Sequence, residues 1–152
     1  GVDVRSIRYP GLISTKSLPG GGTTDYAVDI FYKAKKGEEF TCFLSEETAL
    51  PMMFMDDAIN ATLNLMEADK SCLTIHSSYN VASLSFSPRQ LTEAIRHIIP
   101  NFVVHYKPDF RQAIADTWPA SIDDTVARKD WGWKAEYGLQ KMVKEMLEKI
   151  SV

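Results

Sequence analysis

Apolar and polar residues alternate in several short segments of the chain, and these segments predict its strands. Residues 2–9 alternate as a half-buried strand should, and the apolar runs at 39–44 and 50–55 predict two more strands. The segments 73–82 and 102–106 have the same character. We therefore expect strands that are distributed over the whole chain.

Helical spacing of apolar residues occurs between these strands, and capping residues mark where the helices begin. Four helices are predicted: one that Thr24 or Asp25 caps and Gly37 ends, one that Asp56 and Asp57 open, one after the capping box at 87–90, and an amphipathic helix at 138–150. A further capping signal lies at 121–124. Because strands and helices alternate, the predicted fold class is α/β.

Composition and charge exclude some classes of partner. The chain has 152 residues, of which 45% are apolar, and this is enough for one packed core. A net charge of −3 provides no basic field for nucleic acid, and no apolar run reaches the roughly 18 residues of a membrane span. Cys42 and Cys72 lack metal-binding spacing, so we interpret them as reduced thiols of an intracellular protein.

Titratable side chains do not form an obvious catalytic or metal motif. His76, His97 and His105 are scattered over different predicted elements, which argues against a metal site. Two acidic pairs, at 56–57 and 123–124, stand at predicted helix starts. Capping explains both pairs better than acid–base catalysis does.

Three glycines stand directly before the first predicted helix, in the run LPGGGTTDYA at 18–27. The run is neither a dinucleotide fingerprint nor a P-loop, because no lysine follows at the required place. One interpretation is a mobile turn. The other is a small-anion site, in which helix N–H groups and the hydroxyl of Thr23 or Thr24 bind a phosphate or a carboxylate.

Trp118 is the aromatic residue that we single out for a pocket. Residues 113–117 alternate small and longer side chains, which predicts a strand or an extended loop, and Pro119 then fixes the exit. A tryptophan in that place would wall one side of a pocket and exclude water. Trp131 and Trp133 are expected only to pack within the domain.

Several segments together resemble a known family. They are VRSIRYPGLIS at 4–14, PGGGTTDYAVDIFYKA at 19–34, CFLSEETALPMMFMDDAINAT at 42–62, SYNVA at 78–82, PDFRQAIADTWPASIDD at 108–124 and ARKDWGWK at 127–134. They resemble the C-terminal half of the epimerase-like extended short-chain dehydrogenases/reductases, and in particular the NAD-dependent members that oxidise L-threonine. The runs LPMMFMDDAI and RQAIADTWP are the most specific.

The resemblance implies a function and a set of contacts. Its members oxidise the 3-hydroxyl of L-threonine to 2-amino-3-ketobutyrate with NAD as cofactor. Pro10 and Leu12 would then lie along the nicotinamide end of NAD. Gly22 and Thr23 would meet the carboxylate of the substrate, and Trp118 would close over it.

The same resemblance implies an organisation for the chain. Residues 1–18 would form the last part of a Rossmann dinucleotide-binding sheet, and residues 19–152 a small α/β substrate-binding region with returning elements. The abrupt start on a strand suggests a fragment whose preceding half holds most of the NAD contacts. We expect the full-length enzyme to be a homodimer, located in the cytoplasm or, in a eukaryote, in the mitochondrion.

The catalytic residues implied by the family are not found in this chain. A glycine-rich cofactor loop and a functional Tyr-x-x-x-Lys pair are both missing, and Tyr137 with Lys141 is interpreted as a coincidence within the last helix. The chain alone is therefore expected to be inactive. Two alternatives stay open. One is a nucleotide-sugar epimerase or dehydratase, whose diphosphate could be bound by Arg89, Arg96, Arg128 or, as the first candidate, Arg111. The other is a folded remnant without activity.

Overall fold

The computed structural model describes residues 2–75 and 77–151, and short strands alternate with helices along them. The elements in chain order are β1 (Ile7–Arg8), β2 (Gly11–Ile13), α1 (Tyr26–Lys36), β3 (Phe40–Cys42), β4 (Leu50–Phe54), α2 (Met55–Glu67), a 3₁₀ turn (Lys70–Cys72), β5 (Tyr79–Asn80), β6 (Leu84–Phe86), α3 (Pro88–Arg96), β7 (Val104–Tyr106), α4 (Phe110–Ala115), α5 (Thr125–Trp131) and α6 (Leu139–Lys149). The predicted α/β class is confirmed.

The strands pair mostly in parallel, in three small sheets. β2 pairs in parallel with β4, with Leu12 opposite Met53, and β6 pairs with the other side of β4 in the antiparallel sense. β1 pairs in parallel with β5, and β3 with β7. Strands near the N-terminus thus pair with strands from beyond residue 19.

Two clusters of buried side chains hold these elements together. The larger cluster joins α1, α3 and α6 to strands β3 and β4, and Phe31, Met52 and Val143 are fully buried in it. The smaller cluster lies between α2 and the end of α5, where Met53, Leu65 and Trp133 are buried. Trp133 and its neighbour Trp131 pack inside the domain, as expected.

Helix boundaries agree well with the capping residues. Gly37 ends α1 in the left-handed region at φ 69°, which glycine adopts without strain. Ser87 caps α3 by accepting a hydrogen bond from the Gln90 amide, and the Gln90 side chain accepts one from the Ser87 amide in return. The capping box predicted there is confirmed, although α3 ends at Arg96.

The predicted strand at 2–9 is mostly wrong. Only Ile7–Arg8 pair with another strand. The Arg5 guanidinium instead donates to the carbonyls of Leu65 (2.6 Å) and Ala68 (2.7 Å), at the C-terminal end of α2. A cation there satisfies carbonyls that the helix leaves unpaired, so this side chain anchors the segment without strand pairing.

Other strand predictions need correction too. Gly11–Ile13 form a strand that the sequence pattern did not predict, because they pair with β4. Within the predicted strand 73–82, only Tyr79–Asn80 form a strand among the described residues. His76, which falls in the same segment, lies outside the described residues. Residues 113–117 were expected to be extended, but α4 occupies most of that segment. Its N-cap is Asp109, whose carboxylate accepts from the Arg111 amide at 2.9 Å.

Candidate functional site

A pocket of about 350 Å³ lies where the β1–β2 junction meets the segments before α1 and after α4. Tyr9, Pro10 and Gly11 line it from the junction, and Thr24 lines it from the start of α1. Trp118, Pro119 and Ile122 line it from the segment after α4, and Pro51 lines it from β4. The pocket therefore brings together residues that are distant in sequence.

Gly11 allows the close packing that shapes this pocket. A Cβ atom at Gly11 would lie 2.6 Å from Sδ of Met52 and 2.8 Å from Cγ2 of Thr24, and both distances are too short for real atoms. The methyl group of Thr24 thus packs directly against the backbone of β2. Glycine is needed here for close approach and not for a special φ.

The three consecutive glycines at 20–22 form a turn that we call the glycine corner. A side chain of the same chain closes this turn. The Asp25 carboxylate accepts hydrogen bonds from the amides of Gly20 (2.6 Å) and Gly22 (2.9 Å), and Gly21 has φ 94°. Two amides of the expected anion site, those of Gly20 and Gly22, are therefore already paired with a carboxylate. This changes the prediction for Gly22, because its amide is not free to bind the carboxylate of a substrate.

The two candidate hydroxyls, those of Thr23 and Thr24, differ in their relation to the pocket. Thr24 lines the pocket, whereas Thr23 does not. Among the described residues, neither hydroxyl has a hydrogen-bond partner. Trp118 shares the pocket with Thr24, keeps 42% of its surface exposed, and is held by a bond from its amide to the Ala115 carbonyl at 3.0 Å.

The two residues predicted to contact NAD occupy different places. Pro10 lines the pocket. Leu12 follows the lining residue Gly11 in β2, and 37% of its surface is exposed. β2 is an outer strand of its sheet, so one side of its backbone forms no strand ladder within residues 2–75 and 77–151. A free backbone edge beside a pocket offers hydrogen-bonding groups to a ligand.

Arg111 is not a free cation. Its guanidinium binds Asp109 through Nε (3.1 Å) and Nη2 (2.6 Å), and it lies 3.2 Å from the centre of the Phe43 ring. The hydrogen bond that the guanidinium donates to Asp109 is the main cause that raises the pKa of Arg111. Because the guanidinium has partners at both its edge and its face, few of its N–H groups remain available to bind a phosphate.

Tyr137 and Lys141 are not arranged as a catalytic pair. The Tyr137 hydroxyl donates to Asp56 at 3.0 Å, while the Lys141 ammonium lies over the tyrosine ring, 3.9 Å from its centre. Burial, together with the hydrogen bond to Asp56, raises the pKa of Tyr137 to about 12. A tyrosine base near neutral pH needs the opposite shift.

Residues of both acidic pairs accept structural hydrogen bonds from backbone amides. Asp57 is fully buried and accepts hydrogen bonds from the amides of Glu136 (2.9 Å) and Tyr137 (3.2 Å). Asp123 accepts from the Thr125 amide at 2.9 Å at the start of α5.

The described part of the chain contains no cluster of three or more potential metal ligands, and no helix in it is long and apolar enough to cross a membrane.

Known proteins resemble this chain over most of its length. A mitochondrial L-threonine 3-dehydrogenase of Bos taurus is 49% identical over 148 residues, which are 97% of this chain and 39% of the relative. The solved structure of a GalE-like L-threonine dehydrogenase from Cupriavidus necator has a TM-score of 0.95 and 63% identity, and the match covers 97% of this chain and 48% of that one. No family model matches the chain.

The fold extends to an enzyme with much lower identity. A UDP-glucose 4-epimerase from Thermotoga maritima superposes with a TM-score of 0.76 at 22% identity, over 94% of this chain and 44% of that one. The chain has the fold of the C-terminal part of an epimerase-like extended short-chain dehydrogenase/reductase. It spans about half the length of the relatives that it matches, or less.

For this epimerase-like region, sequence reasoning found some pocket residues and missed others. Trp118 and Pro10 were predicted, and both line the pocket. Tyr9 and Ile122 were missed, because their sequence neighbours show only a strand end and a cap. Thr24 was named as a possible hydroxyl donor, but the family resemblance pointed to Thr23, which does not line the pocket.

Proposed function

We propose that this chain is the substrate-side part of an NAD-dependent L-threonine 3-dehydrogenase. The reaction would oxidise the 3-hydroxyl of L-threonine to 2-amino-3-ketobutyrate. The observation that carries the proposal is the shared pocket of Pro10, Thr24 and Trp118. It puts the predicted cofactor side and the predicted substrate side of the chain next to each other.

The pocket has the size and lining that a small amino acid needs. Its volume of about 350 Å³ lies at the lower end of the range for small-ligand sites. Aromatic and proline side chains form much of the wall, which suits the methyl group of threonine and limits water. The Thr24 hydroxyl provides a hydrogen-bonding group whose position is held by the methyl contact with Gly11.

The predicted substrate contacts then need revision at one point. Gly22 keeps its place in the proposal as part of the corner, and Thr23 stays the second candidate hydroxyl. Because Asp25 already accepts from the amides at this corner, we assign the substrate contact to the Thr24 side chain. Trp118 would cover the bound amino acid and exclude water from it.

The cofactor would meet only a small part of this chain. Pro10 and the free backbone edge at Leu12 would hold the nicotinamide end, and most other NAD contacts would come from outside residues 1–152. When bound, NAD supplies the hydride acceptor for C3 of the substrate. The tyrosine base and its lysine would also come from outside the chain, so we propose that the chain alone does not oxidise threonine.

The proposal includes an organisation for the complete enzyme. Residues 1–18 would join a dinucleotide-binding sheet, and residues 19–152 would form the substrate region. The exposed apolar side chains of α2, namely Ile59, Leu63 and Met66, recur at helical spacing and would pack against that sheet. The enzyme would be a homodimer in the cytoplasm or, as the name of the bovine relative indicates for that protein, in the mitochondrion.

The nucleotide-sugar alternative has less support from the site. A diphosphate needs free cations, and the cation nearest the glycine corner, Arg111, is already paired with Asp109 and stacked on Phe43. Arg128 is likewise paired with Asp124 at 2.7 Å. The pocket wall itself carries no charged side chain among the residues that the structure describes.

The experiment that tests this function follows NADH absorbance with the complete protein that carries this chain. We expect NADH to form with L-threonine and NAD⁺, and not with UDP-glucose and NAD⁺. The isolated 152-residue chain serves as a control and should form none. An epimerase returns its hydride to the sugar and forms no net NADH, so conversion of UDP-glucose is followed by chromatography of the nucleotide sugars. Conversion of UDP-glucose to its 4-epimer, with no NADH from L-threonine, would remove the threonine assignment and support the epimerase-like alternative.

A further inference from the structure

Arg111 contacts the glycine corner and the start of α4, and it does not line the pocket. Its side chain is 20% exposed and contacts three different parts of the fold. The edge of the guanidinium binds Asp109 at the start of α4, and its face stacks on Phe43 after β3. Its third contact is a bond from Nη1 to the Gly21 carbonyl, at 3.4 Å.

These contacts connect α4 to the glycine corner by two routes. The direct route is the bond to Gly21, the residue between the two glycines that Asp25 holds. The second route runs through Phe43, whose ring meets the ring of Tyr26 edge-on at 6.3 Å. Tyr26 is fully buried and is the first residue of α1, so this route fixes the helix that follows the corner.

The other end of α4 leads directly to Trp118. The amide of Trp118 donates to the carbonyl of Ala115, the last residue of α4, so the indole is attached to this short helix. A group that fixes α4 against the glycine corner therefore sets the distance between Trp118 and Thr24. In the described structure, Arg111 belongs to α4, and its side chain also contacts the glycine corner.

We propose that Arg111 is a positioning residue that holds the Trp118 side of the pocket against the glycine corner. The proposal rests on the proposed function, because it assumes that the pocket binds L-threonine. Arg111 would act through geometry and not by touching the substrate. Arginine suits this task because its planar fork binds a carboxylate at its edge while its face stacks on an aromatic ring.

The test compares Arg111→Ala, Arg111→Lys and the control Arg89→Ala in the complete protein. Arg89 forms an exposed ion pair with Glu47 at 2.7 Å and lies outside the pocket. For Arg111→Ala we expect the KM for L-threonine to rise at least about fivefold, with kcat and the KM for NAD⁺ changed less than about twofold. Arg111→Lys should recover less than half of the loss, because lysine lacks the fork and the flat face.

Hydrogen exchange measured by mass spectrometry gives a readout that does not depend on activity. Arg111→Ala should speed exchange in the peptide that covers residues 18–26 at least about threefold and leave the peptide of α6 unchanged. Arg89→Ala should change neither peptide. Unchanged exchange at 18–26 together with an unchanged KM would overturn the proposal.

A third variant separates positioning from direct anion binding. Asp109→Asn keeps an acceptor for the cap of α4 but removes the ionic partner of Arg111. If Arg111 is a ligand for phosphate groups, this variant should bind inorganic diphosphate more tightly than the original protein does, and that result would overturn the proposal. If the complete protein forms no NADH with L-threonine, the proposed function fails, and the exchange experiment still decides the role of Arg111.

Discussion

The carboxylate of Asp25 accepts a hydrogen bond from the amide of Gly22 at 2.9 Å, and the same oxygen accepts one from Gly20. A helix start with three glycines before it looks like an anion site in sequence, because its amides are exposed and unpaired. In the fold, the chain supplies the anion itself. The corner is thus a closed turn that presents Thr24 to the pocket.

Asp25 should act on this corner through its geometry and not through its charge. Asp25→Ala removes both hydrogen bonds, so we expect the free energy of unfolding to fall by about 1–2 kcal/mol and the KM for L-threonine to rise. Asp25→Asn keeps an oxygen acceptor and should change both quantities much less. Tighter threonine binding by Asp25→Ala would instead show that the substrate carboxylate competes for these amides.

Trp118→Ala should weaken catalysis with threonine through loss of a pocket wall. We expect kcat/KM for L-threonine to fall, and the fall should correspond to a loss of roughly 1–3 kcal/mol of transition-state stabilisation. Nucleotide binding should be almost unchanged. Ile114→Ala is the matched control, since Ile114 and Trp118 are both 42% exposed and only Trp118 lines the pocket. Equal values of kcat/KM for Trp118→Ala and the original protein would leave Trp118 with a structural role only.

The two adjacent threonines should differ in their effect on the substrate. Thr24→Val keeps the methyl group that packs on Gly11 and removes the hydroxyl, so threonine binding should weaken by about 1–2 kcal/mol through one lost hydrogen bond. Thr23→Val should have little effect. Steady-state kinetics measures the KM for L-threonine of both variants. A larger rise in KM for Thr23→Val than for Thr24→Val would make Thr23 the ligand.

Gly11→Ala should destabilise the fold. The new methyl group would meet Met52 and Thr24 at 2.6 and 2.8 Å, so buried side chains must shift. Overpacking of this kind lowers the free energy of unfolding by about 1–3 kcal/mol, which chemical denaturation can measure. Gly138→Ala is the control, because a Cβ there has no neighbour within 4 Å; an equal loss in both variants would contradict the close packing.

The two cysteines should react at very different rates. Cys72 is exposed, whereas Cys42 is fully buried, and burial raises the pKa of its thiol to about 11. The thiolate is the reactive form, so at about pH 8 a thiol reagent should label Cys72 quickly and Cys42 only after unfolding. Peptide mass spectrometry after a short labelling time measures both rates, and rapid labelling of Cys42 would show that β3 opens readily.

Local signals in the sequence predicted the helices better than the strands. Ser87 with Gln90, and Gly37, act on residues close to them in sequence, so their effects can be read without knowledge of the fold. Whether Gly11–Ile13 form a strand depends on β4, which lies about forty residues later in the chain. Alternation at 113–117 was misleading, because small and long residues also alternate in the short helix that Asp109 caps.

The candidate site was predictable in part for the same reason. Trp118 and Pro10 stood out by residue type and by the family resemblance, and both line the pocket. The pairing of Asp25 with Gly20 and Gly22 follows from a left-handed turn at Gly21, which the sequence permits but does not require. That one turn decides whether the amides at the corner are open to a ligand.

The most direct test is a crystal structure of the complete protein with NAD⁺ and L-2-aminobutyrate, which lacks the 3-hydroxyl and cannot be oxidised. We predict density for the amino acid in the pocket, in contact with the Trp118 indole and within hydrogen-bond distance of the Thr24 hydroxyl. An amino acid bound elsewhere, with this pocket empty, would contradict the proposed site.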